Sequence, residues 1–151
     1  MNADLDNLNL IKLISERHFQ LRDLSESLWN EQWDIHMANS EWLILAGVYQ
    51  KGETPISWVT KQVNITRQAT HKFIKRLKEK GLVQVTELKD NKKEKSIKIT
   101  DLGKKCYEQN ESLEIWLEQQ IADKIGAEKV NELKRLLKSE WGLKDENSLK
   151  T

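Results

Sequence analysis

The side chains best suited to bind another molecule lie between residues 66 and 80, in the stretch TRQATHKFIKRLKEK. A single acid, Glu79, stands there among six cations: Arg67, Lys72, Lys75, Arg76, Lys78 and Lys80. Guanidinium and ammonium groups bind phosphate oxygens, and Arg and Gln also hydrogen-bond to base edges. A solvated helix surface usually alternates its charges to form i,i+4 pairs. The segment therefore favours contact with DNA over a plain solvated surface.

Within this segment the residue types divide by function. Arg67 and Gln68 suit base edges, whereas Lys72, Lys75 and Arg76 suit phosphates. The predicted DNA-contacting residues of this recognition helix are Thr66, Arg67, Gln68, Thr70, His71, Lys72, Lys75 and Arg76.

The charge of the chain is concentrated around the same segment. The net charge of the whole chain is +1, but residues 59–105 carry 14 bases and 5 acids, a net +9. Residues 1–58 and 106–151 have net charges of −5 and −3. A basic middle between acidic flanks indicates one local site for a polyanion.

Length and composition place the chain among helix-rich globular proteins. Its 151 residues suit one domain, with 38% hydrophobic and 32% charged residues and one Pro. The acidic start MNADLDNLNL lacks the layout of a signal peptide, and no apolar run is long enough to span a membrane. A lone cysteine, Cys106, forms no internal disulfide and fits a cytoplasmic protein.

Two short helices with a tight turn are predicted to position the basic side chains. Thr54 is expected to cap the first, with Pro55 at its first helical position. Asn64 suits the left-handed turn between the helices, and Thr66 suits the cap of the second. The second helix is predicted over 67–80 and ends at Gly81.

Residues 82–99 are predicted to form a β-hairpin because apolar and polar residues alternate on both sides of the polar KDNKKEK. Following a basic helix, such a hairpin is typical of a DNA-binding wing. Asp90 and Glu94 dilute its positive charge, and any hairpin tip can be charged. The predicted wing contacts are Lys89, Asn91, Lys92, Lys93 and Lys95.

Helices are also predicted on both sides of this region. One amphipathic helix is expected over 5–30, and a second begins after a Ser40 cap and ends at Gly52. Thr100 is expected to cap a long helix to about Ile125. After Gly126, a last helix is predicted to close at Trp141-Gly142.

The chain resembles the MarR family of bacterial transcription regulators over about residues 40–106. The resemblance is carried by ITRQATHKFIKRLKEKGLV and by IKITDLGKK, which is similar to the family's Leu-Thr-x-x-Gly. It implies a winged helix-turn-helix lobe over 40–105 in a single domain, with dimerisation helices over 1–35 and 106–145. The implied homodimer would place two reading helices about 34 Å apart on a palindromic site. The family's wing arginine is replaced by lysine here, which fits a narrow minor groove less well.

A few other residues are candidates for ligand binding. Trp29, Trp33, His36 and Met37 are predicted to line a pocket for a small aromatic effector, with plain packing as the alternative. The histidines form no metal-binding motif, and inert burial is favoured over redox sensing for Cys106. No metal and no cofactor are expected.

The sequence therefore predicts a mainly α protein with a small β-wing that binds specific double-stranded DNA as a homodimeric transcription regulator. Repression is favoured, with a small ligand as candidate effector. The alternative is a winged-helix module that binds protein without specific DNA binding. An enzyme is disfavoured, because the chain has neither a Gly-rich phosphate loop nor a nucleophile elbow.

Overall fold

The computed structural model describes residues 4–88 and 91–144, and only the backbone at 88 and 91–94. Within those residues, a 3-10 turn (Leu5–Asn7) precedes six helices and three strands. In chain order these are α1 (Leu10–Gln32), α2 (Asn39–Lys51), β1 (Thr54–Pro55), α3 (Ile56–Val63), α4 (Arg67–Glu79), β2 (Val83–Leu88), β3 (Asn91–Ile99), α5 (Asp101–Ile125) and α6 (Ala127–Lys138). The predicted fold class, mainly α with a small β-wing, is confirmed.

The chain divides into two compact units, Met1–Leu113 and Glu114–Thr151. In the first, the core is built on α2, whose Ile44, Leu45 and Val48 are fully buried. Leu77 of α4 and Ile97 of β3 are buried in the same cluster. Because these side chains leave water almost completely, they stabilise the lobe that carries α4.

In the second unit, one hydrophobic side chain among the described residues is buried, Val130 of α6. Apolar side chains on the same helix remain about half exposed: Leu133, Leu136 and Leu137. A polar contact joins the two helices of the unit, since the Lys134 ammonium lies 3.3 Å from the Glu118 carboxylate. Most of the large apolar side chains described in this unit therefore remain partly or largely exposed. No helix in the described part of the chain is both long and apolar enough to cross a membrane.

The turn between α3 and α4 forms as predicted. Asn64 has left-handed backbone angles (φ 55, ψ 47), which asparagine tolerates better than most residues. The Thr66 hydroxyl accepts a hydrogen bond from the Ala69 N–H at 3.0 Å and so caps α4. The predictions at Asn64 and Thr66 are confirmed.

The predicted start of α3 is wrong. Thr54 and Pro55 form β1, paired with Ile97 and Ser96 of β3, and the helix begins at Ile56. The buried Thr54 hydroxyl donates to the Gly52 carbonyl at 2.6 Å and does not cap the helix. Pro55 is tolerated in this position because an edge strand can lack one N–H.

Three other helix ends differ from the prediction. The first helix begins at Leu10, where Asn9 accepts from the Lys12 N–H at 3.0 Å. The second begins at Asn39, so Ser40 lies inside it; the Glu41 carboxylate accepts from the Ala38 N–H at its start. The last helix ends at Lys138, before Trp141. The sequence periodicity located these helices but not their end residues.

The β-hairpin is confirmed, and its sheet has the strand order β1-β3-β2. Val83 pairs with Ile99 and Glu87 with Lys95, after which the register shifts so that Leu88 pairs with Asn91. The shift places extra residues on the β3 side of the hairpin, which bends the strand locally.

A close junction attaches the wing to the end of α4. The Thr100 N–H donates to the Leu82 carbonyl at 3.0 Å, and the Thr100 hydroxyl donates to the Gly81 carbonyl at 2.7 Å. The same hydroxyl accepts from the Gly103 N–H, which confirms Thr100 as the cap of α5. A Cβ on Gly103 would lie 2.2 Å from the Leu82 carbonyl oxygen, so only glycine fits.

Candidate nucleic-acid interface

The outer surface of α4 is a row of exposed cations. Arg67, Lys72, Lys75 and Arg76 are all exposed, as are Gln68 and His71. In the part of the chain that the structure describes, no carboxylate lies within ion-pairing distance of the four cations. Their charge is therefore available to a polyanion outside the protein.

Ordered contacts fix the N-terminal end of α4. The Thr70 hydroxyl donates to the Thr66 carbonyl at 2.9 Å and accepts from the Thr60 hydroxyl of α3 at 3.1 Å. Thr70 is fully buried. This corrects its inclusion among the DNA-contacting residues: its side chain joins α3 to α4 and leaves no surface for DNA.

The C-terminal end of α4 is closed by a glycine. Gly81 adopts a positive φ of 79°, and the Leu82 N–H donates to the Leu77 carbonyl at 3.0 Å. This is the six-to-one bond of a Schellman motif, in which glycine is favoured because it has no Cβ. Both Leu77 and Leu82 are fully buried, so the helix end is fixed against the core.

The wing is described in part. Lys89 lies outside the described residues, as do the side chains of Asn91, Lys92 and Lys93. Lys95 is exposed on β3, and so is Lys98, which the sequence prediction did not include. Lys98 lies in the alternating part of β3, where a polar residue between Ile97 and Ile99 indicates an outward side chain. The wing contacts stay predictions.

A carboxylate at the base of the wing ties its strands together. Glu53 accepts hydrogen bonds from the hydroxyls of Thr86 on β2 and Ser96 on β3, both at 2.9 Å. The bonds from Ser96 and Thr86 lower the pKa of the Glu53 carboxyl, and nearby Lys98 adds to the effect. Sequence reasoning missed Glu53 because its partners lie far along the chain.

The predicted effector residues lie close together, but two of them belong to the core. Trp29 is 1% exposed and stacks on Trp33, with ring centroids 5.0 Å apart. Its indole N–H donates to the Ile35 carbonyl at 2.6 Å. Met37 is also buried, whereas Trp33 is half-buried and His36 exposed. The pocket remains a prediction; its accessible side chains are His36 and part of Trp33, whose ring centre lies 5.9 Å from the Lys105 ammonium.

A different cavity lies between α2 and α3. Its volume is about 110 Å³, and it is lined by Leu43, Ile44, Gly47, Trp58, Val59, Gln62 and Val63. The Lys51 ammonium lies 4.1 Å from the centre of the Trp58 ring. The cavity is smaller than the roughly 300 Å³ at which pockets for drug-sized ligands begin.

The lone cysteine lies in the hydrophobic core of the first unit. Cys106 is fully buried, as expected, and burial raises the pKa of its thiol. No group of three or more His, Cys, Asp or Glu side chains in the described ranges is arranged to hold a metal ion.

Comparison with known proteins defines the class of the lobe. Residues 37–103 match the family described as "Winged helix DNA-binding domain". No curated protein is similar enough in sequence to be matched to this chain. The lobe containing α2, α3, α4 and the wing is thus similar to a winged helix DNA-binding domain.

Solved structures extend the likeness to most of the chain. Wild-type MarR from E. coli in its apo form superposes with a TM-score of 0.73 at 22% identity, over 87% of this chain and 96% of that one. MepR from S. aureus in a DNA-binding conformation gives 0.66 at 20% identity, over 86% and 94%. PcaV from Streptomyces coelicolor, a transcriptional regulator, gives 0.65 at 15% identity, over 82% and 90%. The chain has the fold of the MarR regulators, and the resemblance found in its sequence is confirmed at that level.

Proposed function

We propose that this protein is a transcription regulator that binds specific double-stranded DNA through α4 and the wing. The observation that carries the proposal is the row of exposed cations on α4, which form no ion pair with the described residues, in a lobe that matches a winged helix DNA-binding domain. Arg67 and Gln68 lie at the N-terminal end of α4, which enters the major groove first in helix-turn-helix proteins. Lys72, Lys75 and Arg76 follow toward the C-terminal end and hold phosphates.

The lysines of the wing increase the affinity for DNA but contribute little to the recognition of its sequence. Lys95 and Lys98 are compact charges without the planar fork of arginine, so they neutralise phosphates and do not probe groove width closely. Specificity is therefore assigned to Arg67 and Gln68.

The functional form is a homodimer. The exposed apolar side chains of the unit Glu114–Thr151 support this proposal. Its described apolar side chains are mostly exposed, including Trp116 (51%) and Leu137 (54%). The α1 helix exposes a second apolar series: Leu10, Ile11, Ile14, Phe19, Leu21 and Leu24. Monomeric proteins rarely expose apolar surface on this scale. A second copy that covers it would also supply a second α4 for a palindromic site. The proposal therefore includes the predicted dimerisation helices over 1–35 and 106–145.

Repression by occlusion of a promoter is the simplest mechanism, because it requires binding and no chemistry. An aromatic effector that lies against Trp33 would release the DNA if it bound better to a form of the lobe with displaced reading helices. The likeness to MepR and MarR supports the fold alone, and the proposed release of DNA by an effector rests on Trp33 of this chain.

Selection of bound sites from random DNA tests the proposal. The wild-type chain should enrich a palindrome with half-sites about one turn apart. Arg67→Ala and Gln68→Ala should lose that preference, whereas Lys75→Ala should weaken binding to all sequences alike. Sedimentation should give a dimer at the concentrations used. If no sequence is enriched, and an acidic protein binds α4 instead, the chain is a protein-interaction module.

A further inference from the structure

Lys80, directly after α4, connects the recognition helix to a distant part of the first unit. Its ammonium donates a hydrogen bond to Glu41 Oε2 of α2 at 2.5 Å. It donates another to the backbone carbonyl of His36, also at 2.5 Å. Lys80 is therefore directed into the lobe, unlike the exposed lysines that precede it on α4.

The Glu41 carboxylate is the buried centre of this contact. It is 2% exposed, whereas Lys80 is 26% exposed. Its second oxygen, Oε1, accepts from the Ala38 N–H at 3.1 Å. One carboxylate thus joins the start of α2, the segment that leads into α2, and the end of α4. Because removing a charge from water is costly, a buried carboxylate such as that of Glu41 stays ionised only where hydrogen-bond and ion-pair partners stabilise its charge.

The contact bears on the orientation of α4. The helix is about 20 Å long at 1.5 Å per residue. The Thr60–Thr70 contact couples α3 to α4, so the two helices would tilt together, and a tilt of about 5° at Lys80 would displace Arg67 by nearly 2 Å. A hydrogen bond to a base edge tolerates only a few tenths of an ångström. Fixing the far end of α4 therefore controls whether Arg67 and Gln68 reach the bases.

We propose that Glu41 is a positioning residue for DNA reading, which acts through Lys80 on the orientation of α4. This inference rests on the proposed function, because it concerns how the same helix meets DNA. It predicts that removing the negative charge of Glu41 lowers the affinity for DNA, which is the opposite of the usual effect. Removing a negative charge from a DNA-binding lobe should strengthen binding to a polyanion. Removing this one should weaken it, because α4 loses its anchor.

The first test compares Glu41→Gln with Asp101→Asn, which removes the same charge from an exposed position outside the proposed dimerisation helices. Each variant is titrated with the selected DNA over a range of salt. Glu41→Gln should bind about fivefold or more weakly at every salt concentration, the lower end of typical coupling between sites. Asp101→Asn should bind as tightly as the wild type or more tightly. If Glu41→Gln binds as tightly as Asp101→Asn, the proposal is wrong.

The second test separates an anchor from a phosphate contact. Lys80→Met is compared with Lys78→Met, which removes an exposed lysine from the same end of α4. A phosphate contact contributes about one to the slope of log affinity against log salt concentration. Lys80→Met should weaken binding and leave that slope unchanged. Adding Glu41→Gln to Lys80→Met should cause no further loss, since both remove one interaction. Additive losses, or a reduced slope in Lys80→Met, would overturn the proposal.

A third measurement needs no DNA. Hydrogen exchange should become faster in Glu41→Gln at the amides of residues 76–80 and stay unchanged at residues 66–70, where the threonine contacts persist. If Glu41→Gln does not fold, Lys80→Met carries the same measurement, because its side chain is partly exposed. Unchanged exchange in a folded variant refutes the anchor. If exchange is faster in Glu41→Gln but the wild-type chain binds no DNA, the Glu41–Lys80 contact is supported and only the proposed function is refuted.

Discussion

Replacing Gly103 by alanine tests whether the junction between α4, the wing and α5 holds the lobe together. The added Cβ would lie 2.2 Å from the Leu82 carbonyl oxygen and 2.7 Å from Ile99 Cγ1. Ordinary van der Waals contacts begin at 3.4 Å, so the first turn of α5 would have to move by more than 1 Å. Neither the backbone of Leu82 nor its buried side chain can move freely.

The expected loss follows from the groups that this movement disturbs. Overpacking a well-packed site costs about 1–3 kcal/mol. The displaced turn also carries the Thr100 bonds to the Leu82 and Gly81 carbonyls, each with a net contribution of about 1 kcal/mol. The free energy of unfolding should therefore fall by about 3–5 kcal/mol. This is a large part of the roughly 5–15 kcal/mol that stabilises a typical domain.

Urea denaturation at one protein concentration measures the change, as a lower midpoint with an unchanged m-value. Gly47→Ala is the matched control, because Gly47 lies within α2 and its added Cβ would meet the Trp58 side chain at 3.4 Å. Alanine is favoured over glycine inside a helix by about 0.5–1 kcal/mol, so this variant should be as stable as the wild type or more stable. If Gly103→Ala and Gly47→Ala have the same midpoint, the close packing at the junction does not limit stability.

Three further predictions concern single side chains. Asn64→Gly should raise the unfolding midpoint slightly or leave it unchanged, because glycine adopts the left-handed angles without strain, whereas Asn64→Val should lower it by about 1 kcal/mol or more; equal midpoints for the two would contradict the left-handed turn. Hydrogen bonds hold the pKa of Glu53 below its ordinary value, so its contribution to stability is present above the unfolded-state pKa and is lost as the pH falls through the folded-state pKa. A carboxyl titration by NMR should therefore give a lowered pKa for Glu53 that returns toward the ordinary value in the Thr86→Val and Ser96→Ala double variant, and an ordinary value in the wild type would disprove the network. Cys106 should react with a thiol reagent at the rate of unfolding, since the folded chain buries it and raises its pKa, and immediate reaction of the native protein would show that the core is open.

Local patterns predicted the parts of the fold that depend on neighbouring residues. Asn64, Thr66 and Thr100 occupy the turn and the caps expected of them, because each conformation is set within three or four positions. Thr54-Pro55 was misread as a helix start because the pairing of β1 with β3 joins residues more than forty positions apart. A two-residue strand is too short to show alternation.

The sequence indicated the cations of the candidate site but not the contacts that support the helix carrying them. The exposed surface of α4 follows from helical spacing and charge, and the same spacing places Thr70 on the buried face with Ile74 and Leu77. The Glu41–Lys80 and Glu53–Ser96 contacts join residues 39 and 43 positions apart. Each carboxylate looks like an ordinary surface acid in the sequence, and the fold brings it to its partner.

The salt dependence of DNA binding tests the central claim most directly. The wild-type chain is titrated with its selected DNA, and with unrelated DNA, from low to physiological salt. The exposed cations of α4 predict that log affinity falls linearly and steeply with log salt concentration, by about 0.9 for each phosphate neutralised. The selected DNA should bind about 10³-fold or more tightly than the unrelated DNA. Failure to bind either DNA at low salt, or an affinity that does not change with salt, would contradict the assignment of α4 as a DNA-reading helix.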